Sequence, residues 1–289
     1  MTAVNTQKRN VAILQMALCA GLWSIAGIFI KLIPWHPMVI AGLRSLLAGC
    51  VVLIYMKVRG WKLTISKNSV TSGVFLCITF CTFVVANKLT TAANAIVLEF
   101  TSPVFIVVLS ALFFGLRFAK ADLITVALTL CGISLFFFDQ LTPGGMAGNF
   151  VALSAGLFQA CTYIFVGRDD DSGRMSGIFI GHLLTALVGI PFALFHTTEF
   201  TTLPILSILV LGILQLGIPY VLFGEASRVC PPLMCSLIGA VEPLLNPVWV
   251  FIFDGEHPGP WALVGGIIVI VTITCWCMAG GGTKKEETA

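Results

Sequence analysis

Among the charged and histidine side chains of the 289-residue sequence, four lie deep within long apolar runs, away from their ends: Arg44, Glu99, His182 and Glu242. A charge at the bilayer centre costs roughly 2.5–3.5 kcal/mol on insertion scales, so such groups are expected to face a cavity or a partner. Glu99 shares a helical face with Ala92, Ala95 and Ser102, and Glu242 shares one with Cys235, Gly239 and Asn246. A carboxylate so placed can receive an ammonium group or carry a proton. The plainer alternative is a neutral acid that locks two helices together. Arg44 reads as the counter-ion of a substrate anion or of a glutamate, or else as a structural, snorkelling arginine. His182 titrates near neutrality if solvated and otherwise packs as a core residue.

Aromatic and polar groups recur near these positions. Trp23, Ser24, Ser102, Phe158, Gln159, Tyr163 and Tyr220 are candidate substrate-binding residues beside Glu99 and Glu242. Gln159 and Tyr163 stack at i, i+4. An aromatic lining with a few convergent polar groups is the usual form of a small-molecule site. Lipid contact or helix packing is the alternative for each aromatic. Pro103, Pro243 and Pro247 free backbone carbonyls at membrane depth and read as hinges or as static kinks. No HExxH, GxSxG or P-loop motif is present, so no enzyme, metal or cofactor is expected. Lys and Arg are scattered, which gives no footprint for nucleic acid.

These side chains must be held by membrane-spanning helices. The sequence is 58% hydrophobic and 10% charged, with mean hydropathy +1.01 and net charge +3. A soluble domain is roughly 45–50% apolar and about 25% charged. Apolar runs of spanning length cover 11–32, 38–57, 69–86, 91–115, 120–139, 147–167, 175–196, 203–224, 230–252 and 260–280. The first run is too long for a signal-peptide core and reads as a retained helix. The ten cysteines lie almost all within these runs and read as small hydrophobes. With the N-terminus inside, 13 Lys and Arg face the cytoplasm and 2, Lys31 and Lys88, face out. The expectation is a multi-pass protein of the cytoplasmic membrane with both termini cytoplasmic.

The two halves of the sequence repeat each other. Ala17-Leu18-Cys19-Ala20-Gly21-Leu22-Trp23 matches Ala152-Leu153-Ser154-Ala155-Gly156-Leu157-Phe158. Later, Phe83, Ala86, Pro103, Val108, Phe113, Gly115 and Leu123 recur as Phe223, Ala226, Pro243, Val248, Phe253, Gly255 and Leu263, each 140 positions on. Five helices per copy is an odd number, so the second copy enters from the opposite face. The expected fold is an all-α integral membrane protein of ten transmembrane helices, with two inverted five-helix repeats over 1–140 and 146–289. Inverted repeats characterise secondary transporters that bind substrate at the midplane between the halves. A membrane-embedded enzyme and a channel are the competing classes. The single Asn246-Pro247 has no mate in the first half, which argues against paired half-helices of water-channel type.

The stretch Pro243, Val248, Phe253, Gly255 and Glu256, its counterpart from Pro103 to Gly115, and Arg44 resemble the drug/metabolite transporter superfamily, in its ten-helix EamA-type branch. The first copy departs from the pattern, with Gly115-Leu116 in place of Gly-Glu. The resemblance implies a carrier for a small metabolite, with amino acids as the leading substrates and export as the usual direction. Aromatic content tilts this toward aromatic or bulky apolar amino acids. A proton-coupled importer of a metabolite or organic cation is the alternative. The expected partners are the metabolite and the lipid bilayer, with the chain acting as a monomer or homodimer.

Overall fold

A computed structural model describes residues 3–136, 138, 145–198, 201–245, 249 and 260–280. All regular structure among them is helical. The helices are α1 (Ala3–Trp23), α2 (Ala26–Lys31), α3 (Pro37–Val58), α4 (Lys67–Leu89), α5 (Ala92–Glu99), α6 (Ser102–Phe114) and α7 (Lys120–Phe136). After the midpoint come α8 (Met146–Val166), α9 (Asp171–Gly189), α10 (Thr202–Leu209), α11 (Ile218–Ala226), α12 (Pro232–Ile238) and α13 (Pro260–Met278). Between α10 and α11 the chain forms a π-helical stretch, Val210–Gly217, so these three make one continuous rod. A 3-10 turn, Ile190–Leu194, extends α9.

Polar residues at the ends of the apolar runs set the boundaries. Ser66 and Ser69 form a reciprocal capping box at the start of α4. Thr91 caps α5 through the amide of Asn94, and Asp170 caps α9 through Gly173. Gly115, with φ of 64°, ends α6 in the left-handed conformation that glycine adopts without a Cβ penalty. Every expected run overlaps a helix. Seven of the described helical rods are long and apolar enough to cross a membrane, and the described apolar parts Pro232–Leu245 and Leu263–Met278 are shorter. The first helix starts at Ala3, eight residues before the apolar run that foretold it.

Three rods are broken at depth: at Ser24–Ile25, at Phe100–Thr101 and at Gly239–Ala240. The last two occupy corresponding places in the repeat, 139 positions apart, each just before a proline of the pair Pro103 and Pro243. Proline explains both. Pro103 and Pro243 lack an N–H, and each ring clashes with the carbonyl four residues back, that of Glu99 or Gly239. The chain turns tightly there with i→i−3 bonds, Thr101 N to Leu98 O at 3.2 Å and Ala240 N to Leu237 O at 3.0 Å. Helix then resumes with the proline in its first turn, where the missing donor costs nothing. Pro103 and Pro243 therefore begin new helical segments, whereas the sequence reading placed them within continuous spans. Pro247 lies outside the described residues.

Helices of the two halves interleave in an exchange-symmetric pattern. α4 packs on α8, and its mate α11 packs on α1. α5 and α6 pack on α8, and α12 packs on α1. α3 meets its own mate α9, and α7 meets α13. The largest apolar core joins α1, α4, α8, α11 and α12 from both halves.

Candidate functional site

The broken rods meet around a cavity of about 60 Å³. Its wall includes four pairs of repeat mates: Phe80 with Tyr220, Ile96 with Ser236, Glu99 with Gly239, and Ser102 with Glu242. The cavity is therefore lined from both halves at matching positions. Glu99 ends α5, and Ser102 begins α6. The helix breaks between them, so they do not share an unbroken face as their spacing suggested. Both still reach the cavity. Ser102 and Ser236 join the two breaks through their hydroxyls at 2.9 Å. Glu242 lies in the turn after the second break, within electrostatic reach of Glu99.

Close approach at the first break depends on Gly156 of α8. A Cβ there would lie 2.6 Å from the backbone oxygen of Glu99. Its repeat mate Gly21 faces Leu245, beyond the second break. The shared Ala-Leu-x-Ala-Gly-Leu phrase is thus a groove in each half for the broken rod of the other.

Arg44 enters from α3 and is 1% exposed. Its Nη1 donates to Oε1 of Gln215 at 3.4 Å, and its guanidinium lies 5.9 and 6.0 Å from the ring centres of Phe80 and Phe83. Gln215 sits in the π-helical stretch. Its Nε2 donates to the carbonyl of Trp23 at 3.5 Å, where α1 is interrupted. Trp23 and Tyr220 pack at 5.2 Å, and Tyr220 meets Phe80 edge-on at 5.1 Å. Gln159 and Tyr163 complete the wall from α8.

Of the residues singled out from the sequence, Trp23, Arg44, Glu99, Ser102, Gln159, Tyr163, Tyr220, Glu242 and Pro243 line the cavity. Ser24, Phe158, His182 and Pro103 do not line it. Ser24 accepts a hydrogen bond from Trp249 Nε1 at 2.8 Å, and Phe158 stacks on Phe75 at 6.0 Å. His182 is fully buried behind Phe80 and Tyr220, with both ring nitrogens unpartnered. Pro103 is buried at the start of α6. The reading from sequence missed Gln215, Thr79, Phe80, Phe83 and Ser236. Gln215 had a signal: it is a lone amide in an apolar run, flanked by Gly212 and Gly217.

A second cluster lies at one end of the molecule. Glu225 accepts from Tyr55 Oη at 2.7 Å and pairs with Arg228 at 2.9 Å and Arg59 at 3.8 Å. Arg228 also pairs with Asp171 at 2.7 Å, and Asp171 pairs with Arg174 at 3.1 Å. The network ties α3 of the first half to α9 and α11 of the second.

Residues 10–138 and 146–277 each match the EamA-like transporter family. The chain belongs to the EamA-like transporter family. The two matched segments are the two repeats. A mouse protein, "Solute carrier family 35 member G1", is 22% identical over 285 residues, spanning 89% of this chain and 75% of the mouse protein. A solved crystal structure superposes with a TM-score of 0.78 at 17% identity, over 93% of this chain and 98% of that one. That likeness shows the fold. The EamA chain is thus an all-helical, multi-pass membrane protein of two repeats, in a family of transporters of small solutes.

Proposed function

We propose that this EamA protein is a secondary transporter that moves a small metabolite across the cytoplasmic membrane by alternating access. The observation that carries the reading is the cavity at membrane depth where two repeat-mated helix breaks meet. Discontinuous helices at a repeat interface are where secondary transporters bind their substrates. Ten spans in two inverted five-helix repeats, with both termini cytoplasmic, complete the reading. The 13-to-2 distribution of basic residues supports that orientation.

The substrate class we favour is an amino acid or related zwitterion, aromatic or bulky and apolar, handled by export or facilitated passage. The cavity wall carries acid, guanidinium and aromatic groups together: Glu99, Glu242, Arg44, Trp23, Tyr220 and Phe80. At about 60 Å³ the cavity is far smaller than a typical ligand pocket of roughly 300–1,000 Å³. Substrate entry therefore requires the walls to part, as a carrier's must. Pro103, Pro243 and Pro247 serve in this reading as the hinges. Uptake of labelled phenylalanine into proteoliposomes tests it. Wild-type protein transports, and Glu99→Gln and Glu242→Gln transport at least about tenfold more slowly, the equivalent of roughly 1.4 kcal/mol. Wild-type rates in both variants contradict the carboxylate roles.

A second reading is a proton-coupled importer. Glu99 and Glu242 facing one cavity favour it, because neighbouring carboxylates suit proton carriage. Inward accumulation driven by an imposed pH gradient distinguishes it.

A further inference from the structure

Arg44 is a buried cation without a matching anion. Its side chain is 1% exposed, and among the described residues no carboxylate lies within 4 Å of it. Guanidinium does not deprotonate in proteins, so the charge cannot be removed by titration. Its one hydrogen bond is to a neutral amide, Gln215, at 3.4 Å. Nε is buried and has no partner. Glu99, which also faces the cavity, interacts with Arg44 only through space. A buried charge left without an ion-pair partner is strongly destabilising, and among the described residues only the rings of Phe80 and Phe83 and the more distant Glu99 offset it, which leaves this guanidinium poised for an anion that enters the cavity.

The elements around Arg44 are built to hold it in place. The π-helical stretch Val210–Gly217 is an unusual backbone, of a kind found mostly at functional sites. It lies hard against α3: a Cβ on Gly212 would meet Leu47 at 2.5 Å and the Arg44 carbonyl at 3.0 Å, and one on Gly217 would meet Val51 at 2.8 Å. That approach brings Gln215 to Arg44 from one side, while the carbonyl of Trp23 holds the Gln215 amide from the other. Oε1 is thereby turned toward the guanidinium, and Nη1 is fixed. The Nε edge is buried and unpartnered, and once the cavity walls part that edge of an arginine takes a planar carboxylate side-on.

We propose that Arg44 is the receptor for the substrate's carboxylate, that this anion supplies the ion pair missing among the described residues, and that Gln215 is the positioning residue that sets the guanidinium. The inference rests on the transporter reading and assigns the carboxylate end of its substrate to one residue. The carboxylates Glu99 and Glu242 are left for the cationic end of the same molecule.

The test uses purified full-length protein in detergent and needs no transport assay. Ligand-free thermal unfolding is compared for wild type, Arg44→Met, Gln215→Leu and the double variant. Removing an unpaired buried charge raises Tm in Arg44→Met by about 2 °C or more. Gln215→Leu lowers Tm more when Arg44 is present than in the Arg44→Met background, where only the bond to the Trp23 carbonyl is lost. A fall in Tm in Arg44→Met shows a structural arginine satisfied within the protein and overturns the proposal. Equal losses from Gln215→Leu in both backgrounds overturn the positioning role. Phenylalanine and phenethylamine, which differ by the carboxylate, are then compared as probes. Stabilisation by phenylalanine alone, lost in Arg44→Met, supports the proposal, and equal stabilisation by both overturns it. Absence of phenylalanine transport beside a raised Tm in Arg44→Met contradicts the amino-acid substrate and leaves the anion site standing.

Discussion

At the scale of single residues, the cavity owes its character to groups that water would normally satisfy. Ser102 and Ser236 satisfy each other, and Gln215 bridges Arg44 and Trp23. Breaking the serine pair on one side leaves a buried hydroxyl without its partner, which costs about 1–3 kcal/mol. Ser236→Ala is therefore expected to lower thermal stability by that order, with Ser102→Ala/Ser236→Ala closer to wild type than the sum of the single changes. Differential scanning fluorimetry on the four proteins checks this. Single residues were legible in the sequence where polarity contrasts with an apolar run. Glu99, Glu242 and Arg44 stood out for that reason. His182 stood out equally but lies behind the wall, because composition does not tell which face of a helix meets a cavity. Phe80 and Phe83 were illegible, since a phenylalanine in a membrane helix looks the same at a site and against lipid.

At the scale of elements, the breaks matter most. Repeated Pro103 and Pro243 announced irregular backbone. Spacing alone suggested kinks in continuous helices, because where a chain restarts after proline depends on tertiary partners. Gly156 is one such partner. Gly156→Val is expected to push α8 from the Glu99 carbonyl and cost about 1–3 kcal/mol through overpacking. It should lower Tm and also slow transport, whereas Gly60→Ala, at a left-handed turn (φ 69°) with open space around it, should cost about 1 kcal/mol of backbone strain yet leave transport intact. The α3 cap supplies a pH test. Nδ1 of His36 accepts from the amide of Met38 at 3.3 Å, and His36 stacks on His196 at 4.1 Å. Burial first, and the neighbouring His196 second, hold the His36 pKa below the ordinary imidazole value. The folded state thus prefers neutral His36, while the unfolded chain takes up a proton near pH 6.5. This contribution is present above about pH 6.5 and fades as pH falls toward the lowered folded value. His36→Asn retains a capping acceptor without titrating, so its Tm should fall less than that of wild type between pH 7.5 and 5.5.

At the scale of the molecule, the repeat was the most legible feature, while which helix of one half packs on which of the other was not. The repeat is written twice in the sequence, and a pattern that repeats across 140 positions survives errors in any one helix boundary. The ion network around Glu225 was illegible, because its members come from three helix ends far apart in the chain: Tyr55 and Arg59, Asp171 and Arg174, and Arg228. Among the described residues its ion pairs join the halves at one end, so under the proposed alternating access their rupture is part of opening that end. In Glu225→Gln, amide hydrogen exchange over 59–66 and 168–173 should quicken severalfold, with the helices around the cavity unaffected. Alternation between faces itself is read most directly by counterflow. Proteoliposomes preloaded with unlabelled phenylalanine and diluted into a trace of labelled phenylalanine should show a transient overshoot of label inside, saturable and absent in Arg44→Met. Flux that rises linearly with concentration and never overshoots would be that of a pore, and would contradict a carrier that exposes one site to each side in turn.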